Sequence, residues 1–123
     1  VGDLEGLALA SEAELAAFDP AVAEQLRTAA DRATAAIGHS ETTADRAQAV
    51  GHLGQLYQTY DLAEAARSCY ELAEGMAPED WKWPYLLAVV LEMGGRSAEA
   101  SQHFERALEL RPDHLPALIR AAD

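Results

Sequence analysis

The sequence predicts an all-α chain organised as a stack of antiparallel helix pairs. Three observations lead there. Alanine, leucine, glutamate and arginine dominate, and these residues lose little on entering a helix. Nowhere do Val, Ile or Thr alternate with polar residues over a strand's length, so no sheet is supported. The chain also repeats itself: ARSCYELAEGMAPED (66–80) lies over ASQHFERALELRPDH (100–114) without a gap, at a shift of 34 residues.

Residues 1–18 carry the weakest signal. Ser11 and Glu14 have the spacing of a capping box, which starts a short helix ending near Phe18; an acidic flexible lead is the alternative, and both stay open. Residues 19–46 are expected to form a packing helix and a loop. Asp19 is a good N-cap, Pro20 takes the tolerated first position, and Gly38 suits the C-terminal end. Val22, Leu26, Ala29, Ala33 and Ile37 form one apolar stripe, flanked by Glu24, Arg27, Asp31 and Arg32. This helix should shield the open end of the first repeat, because a terminal unit of a repeat stack exposes an apolar face. HSETTA (39–44) reads as a polar loop.

Residues 47–80 and 81–114 are the two copies. In each, a small residue, an aromatic and a second small residue fall at i, i+4 and i+7 on one helix face: Ala66, Tyr70 and Ala73, then Ala100, Phe104 and Ala107. The small residues let a neighbouring helix approach while the ring fills the space between. Pro78 and Pro112 follow, and a proline cannot continue the hydrogen-bond ladder. Between the copies, DWKWPYLLAVVLEMG (80–94) holds both tryptophans and the only lysine. Asp80 or Trp83 can cap the helix that Pro84 helps start. Trp83 is expected in the core between the repeats rather than in a ligand cage, and Lys82 is expected at a groove. Residues 115–123 read as the start of a third repeat or a capping helix, with Leu118, Ala121 and Ala122 in its early positions.

This pattern resembles the tetratricopeptide repeat (TPR), whose signature runs Trp-x-x-Leu-Gly-x-x-Tyr, then Ala-x-x-x-Phe-x-x-Ala, then Pro. The first copy offers Val50 in the tryptophan slot, then Leu53, Gly54, Tyr57, Ala66, Tyr70, Ala73 and Pro78. The second offers Leu87, Ala88, Leu91, Ala100, Phe104, Ala107 and Pro112. The resemblance covers about two-thirds of the chain. It departs from the family at Thr59, Tyr60 and Asp61, where a glycine is usual, and at Leu91, which replaces the aromatic held by Tyr57; neither change disturbs the apolar spacing.

What the resemblance implies is a right-handed superhelical stack, a TPR-type α-solenoid, in which the first helix of each repeat lines a concave side. Such a surface holds a peptide or a partner helix, so the implied function is a non-catalytic protein–protein interaction scaffold. Carried over slot by slot, the groove positions are Gln48, Gly51, His52, Gln55, Gln58 and Thr59 in the first repeat. In the second they are Lys82, Tyr85, Val89, Glu92 and Met93. The family's carboxylate clamp for acidic chaperone tails is not matched, since its slots hold Gly51, Gln55, Leu86, Pro116 and Arg120, of which only Arg120 fits. Left at an end, the third-repeat start would expose Leu115, Leu118 and Ile119, and self-association through that face is expected. An alternative stays open. DPAVAEQLRTAADRA followed by DWKWPYLLAVVLEMGG resembles TPR regions of multi-domain bacterial proteins, which implies an accessory assembly domain of a larger enzyme, redox or envelope protein.

Composition narrows the remaining classes. With 21 acidic and 9 basic residues the formal charge is −12, and no basic run occurs, so phosphate backbones are repelled and no nucleic-acid partner is expected. No apolar stretch approaches the ~20 residues of a membrane span. Cys69 is alone, which excludes an internal disulfide, and it reads as an inert helical thiol. His39, His52, His103 and His114 lack zinc-site spacing, and neither HExxH nor paired CxxC occurs, so no metal or cofactor is expected. His103 is expected to point to solvent. No catalytic residues are assigned, and the chain does not read as an enzyme. Val1 is not an initiator methionine, so a trimmed or excised piece of a longer protein is expected. Residues 1–19 lack the basic start and long apolar core of a signal peptide, and cytoplasm and periplasm both stay open.

Overall fold

In a computed structural model, the described residues are 9–39 and 42–111, and they form six helices with no strand among them. The helices are α1 (Glu12–Leu15), α2 (Pro20–His39), α3 (Thr43–Thr59), α4 (Ala63–Met76), α5 (Lys82–Met93) and α6 (Ser97–Leu110). From α2 onward each packs on the next, most extensively within the pairs α3–α4 and α5–α6. The lead before Leu9, the third-repeat start with Leu115, Leu118 and Ile119, and also Pro112, His114 and Arg120, lie outside the described residues.

The capping box at α1 is complete: Ser11 Oγ accepts from the Glu14 N–H at 3.1 Å, and the Ser11 N–H donates to Glu14 Oε1 at 3.0 Å. The helix stops after four residues, short of Phe18. The segment around it is docked. Glu12 receives a two-pronged bond from Arg27 of α2, the Phe18 ring meets Tyr60 edge-on at 5.8 Å, and the Ala10 N–H donates to Tyr57 Oη at 3.2 Å.

Asp19 Oδ1 accepts from the Ala21 N–H at 2.9 Å and so caps α2. The buried line of α2 is Ala23, Leu26, Ala30, Ala33 and Ile37, while Val22 and Ala29 sit at its edge, partly buried. Alanines on both sides of the stripe gave the sequence no contrast by which to place its centre. α3 begins one turn before the repeat register. The Thr42 hydroxyl accepts from the Asp45 N–H at 3.0 Å, so Thr43 and Ala44, expected in a polar loop, are helical. Asp80 Oδ1 accepts from the Lys82 N–H at 3.1 Å at the start of α5, and Pro84 lies in the first turn, where its missing N–H has no intrahelical partner to lose.

The turns inside the two pairs share one backbone feature. Asp61 has φ +61° and Gly95, 34 residues later, has φ +82°. The left-handed conformation is unstrained for glycine, and aspartate is among the few other residues that visit it.

Every residue of the two small–aromatic–small triads is buried, along with Val50, Leu53, Tyr57, Leu87, Ala88 and Leu91. Glycine makes two close helix approaches possible. A Cβ on Gly54 would stand 2.8 Å from the Tyr70 ring, and one on Gly51 would overlap the six-membered ring of Trp83. Trp83 is 1% exposed, wedged between the first helices of the two pairs, and its Nε1–H has no hydrogen-bond partner among the described residues. Gly51, expected at the groove, is thus covered: the side chain it lacks is what admits the indole. His103 does not simply face solvent. Stacking of the pairs brings α6 beside α4, where His103 Nδ1 is half-buried 3.8 Å from Glu74 Oε1. Arg106 Nη2 donates to the Pro78 carbonyl at 3.2 Å along the same seam.

Burial pushes the Cys69 thiol up from 9.0 to about 12, and raises Tyr57 and Tyr70 in the same direction. The native state therefore keeps its neutral thiol at a pH where the unfolded chain ionises. Stability from this group is complete below about pH 9 and is lost as pH rises toward about 12. We expect the urea midpoint to fall between about pH 9 and about pH 11, with a smaller fall in Cys69→Ala. A thiol reagent should label Cys69 only as fast as the fold opens.

Candidate functional site

Helix geometry groups the expected groove residues. Gln48, His52, Gln55 and Thr59 are spaced to share one face of α3, and Lys82, Val89 and Met93 share the equivalent face of α5. Their settings differ. Gln48 is half-buried and borders a depression of about 390 Å³ with Thr43, Ala44, Met76 and Asp80. Gln55 and Thr59 are exposed, and the Thr59 hydroxyl donates to the Gln55 carbonyl at 2.9 Å. His52 is exposed on the side facing α2.

On α5, Lys82 Nζ lies 3.7 Å from Asp80 Oδ2 and 5.1 Å from the Trp83 ring centroid, so the only lysine is already engaged. Tyr85 is half-buried between Trp81 and Phe104, with ring centroids 5.9 and 5.8 Å away. This side chain is largely given to packing, because Phe104 of α6 comes up beside it. Val89 is half-buried against the core, and Glu92 is exposed.

The structure does bring Gln58 and Met93 together. Tyr70 Oη donates to Gln58 Oε1 at 2.7 Å, which fixes the carboxamide so that its Nε2 points toward Met93 Sδ, 4.0 Å away. They line a notch of about 190 Å³ between the two pairs, completed by Asp61, Ala63, Val90 and Gly94. Met93 is 73% exposed; among the described residues the other exposed large apolar side chain is Leu9, at 45%. Sequence reasoning missed Asp61, Ala63, Val90 and Gly94. Asp61 carried a readable signal, since it stands one period before Gly95 in a position that favours glycine.

Among the described residues no group of three His, Cys, Asp or Glu side chains could hold a metal ion, and no helix is long and apolar enough to cross a membrane. No curated protein matches the chain. A family model of the tetratricopeptide repeat matches residues 85–114, which span most of α5, all of α6 and the turn between them. That match and the six-helix architecture, with α3–α4 one period ahead of α5–α6, fit a repeat protein of the tetratricopeptide type.

Proposed function

We propose that the pairs wind as a right-handed superhelical stack and act as a non-catalytic scaffold, holding a peptide or partner helix on a concave face. That face is made by Gln48, His52, Gln55, Gln58 and Thr59 of α3 with Lys82, Tyr85, Val89, Glu92 and Met93 of α5. The observation that carries this reading is Met93, a flexible apolar side chain exposed beside a carboxamide oriented by a buried tyrosine. Such a pair offers one adaptable apolar contact and one fixed hydrogen-bond donor, the combination that docks an extended backbone.

Peptides selected from a random linear library against the whole chain provide the test. Met93→Ala and Gln55→Ala are each expected to weaken the selected peptides about three- to tenfold, with helicity and melting unchanged because both side chains are exposed. Peptides indifferent to both changes, or a library that yields none, would sink the reading.

A further inference from the structure

The junction between the two pairs has a contact that, among the described residues, the junction before it lacks. α5 rests on both helices of the preceding pair: it packs on α4, and its Trp83 covers Gly51 of α3. One period earlier, Trp83, Leu87 and Val90 correspond to Ala49, Leu53 and Leu56. This face of α3 meets α2, but no described helix stands where α3 itself stands against α5. α1 does not fill the place. It is tied by the Glu12–Arg27 pair to the opposite flank of α2, with Leu9 and Glu14 bordering α4.

What remains is a groove along α2 and α3, made of two adjoining depressions of about 410 and 590 Å³ that share Ala29, Arg32 and Leu56. It runs from Ala21 to Ala33, roughly 18 Å, which is the length of a helix of about three turns. Alanines in its floor permit close helix approach.

Charge narrows the occupant. Among the described residues Arg32 is the one lysine or arginine without an acidic or other partner, and it is exposed in the middle of this groove. Glu24 on the same rim is turned to Arg27 at 3.6 Å. In a chain of net charge −12, an incoming carboxylate meets a cation here without displacing an existing pair.

We propose that the α2–α3 groove takes an amphipathic helix of a partner protein, seated as the first helix of a preceding pair, with a carboxylate of that helix against Arg32. This surface lies on a different flank of α3 from the Met93 notch and stands independently of it.

A displayed library of stabilised helices of about 16 residues, randomised on one face, is selected against the whole chain. The expected binders carry Asp or Glu and lose at least about tenfold in affinity on Arg32→Glu and on Ala49→Trp, which fills the groove with the residue found one period later. Met93→Ala leaves them within about twofold. Selection against Arg32→Glu returns Lys or Arg at the position that held the acid. Circular dichroism and melting check that both variants fold. Binders indifferent to both groove changes, or no helical binder at all, overturn the proposal. Binders lost only on Met93→Ala overturn it too, while supporting the notch. So does sedimentation showing a dimer that Arg32→Glu and Ala49→Trp disperse, because the occupant is then a second copy.

Discussion

Gly51→Ala is expected to destabilise the fold by about 2 kcal/mol, opposite in sign to the usual effect of that change inside a helix. Elsewhere, replacing a helical glycine by alanine gains up to about 1 kcal/mol, since alanine has less backbone freedom to lose. At Gly51 the added methyl overlaps the Trp83 ring, which is 1% exposed and has no room to turn. α5 must slide away from α3, loosening the junction between the pairs. Gly75→Ala is the internal control, because nothing lies within 4 Å of where its Cβ would stand. Thermal unfolding should show Gly51→Ala melting roughly 8 °C lower and Gly75→Ala unchanged or slightly higher. If both move the same way, the indole does not occupy the space above Gly51.

Trp83→Ala should be the most damaging single truncation, at about 3–5 kcal/mol. It removes the largest fully buried side chain and leaves a cavity between α3 and α5 that two helices cannot close without tilting. Trp83→Phe should cost far less than its volume loss implies, since it also removes an indole N–H that is buried without a partner among the described residues. Because Trp83 links one pair to the next, its loss should also reduce cooperativity. The urea transition should broaden and its slope fall, as each pair begins to unfold separately. Combining Trp83→Ala with Gly51→Ala should recover most of the glycine penalty, a coupling of about 1–3 kcal/mol in a double-mutant cycle. Strict additivity would mean that the two residues do not share a contact.

The helical architecture was legible because each repeat carries its own contrast. Ala66, Tyr70 and Ala73 and their counterparts Ala100, Phe104 and Ala107 differ sharply in size at fixed spacing, and all six are buried. Where contrast is missing, detail was lost. The alanine-rich α2 hid the centre of its buried stripe, and Thr42 reads equally as loop or cap until its hydroxyl is seen on the Asp45 N–H. The candidate site was less legible than the fold. Gly51 and Tyr85 fall in groove slots by register, yet each is claimed by a side chain from another helix, Trp83 for one and Phe104 for the other. A slot rule reads one helix at a time and carries no information about what leans on it. Gln58 and Met93 both fall in groove slots, but their meeting is invisible for the same reason, because they are 35 positions apart and the orienting hydroxyl comes from Tyr70 on a third helix.

The order in which the helices pack has a consequence for synthesis. From α3 onward each helix packs on the one just before it, α4 and α6 most extensively. A nascent chain leaving the ribosome can therefore dock each helix as it emerges, closing only short loops whose entropy cost is small. Ala49, Gly51 and Gly54 wait on α3 for contacts from later in the chain or from elsewhere, and until Trp83 arrives the completed α3–α4 pair presents an open apolar ledge. Assembly thus proceeds from the N-terminal side by stepwise accretion, and the ledge left open at each step is the template for the next helix.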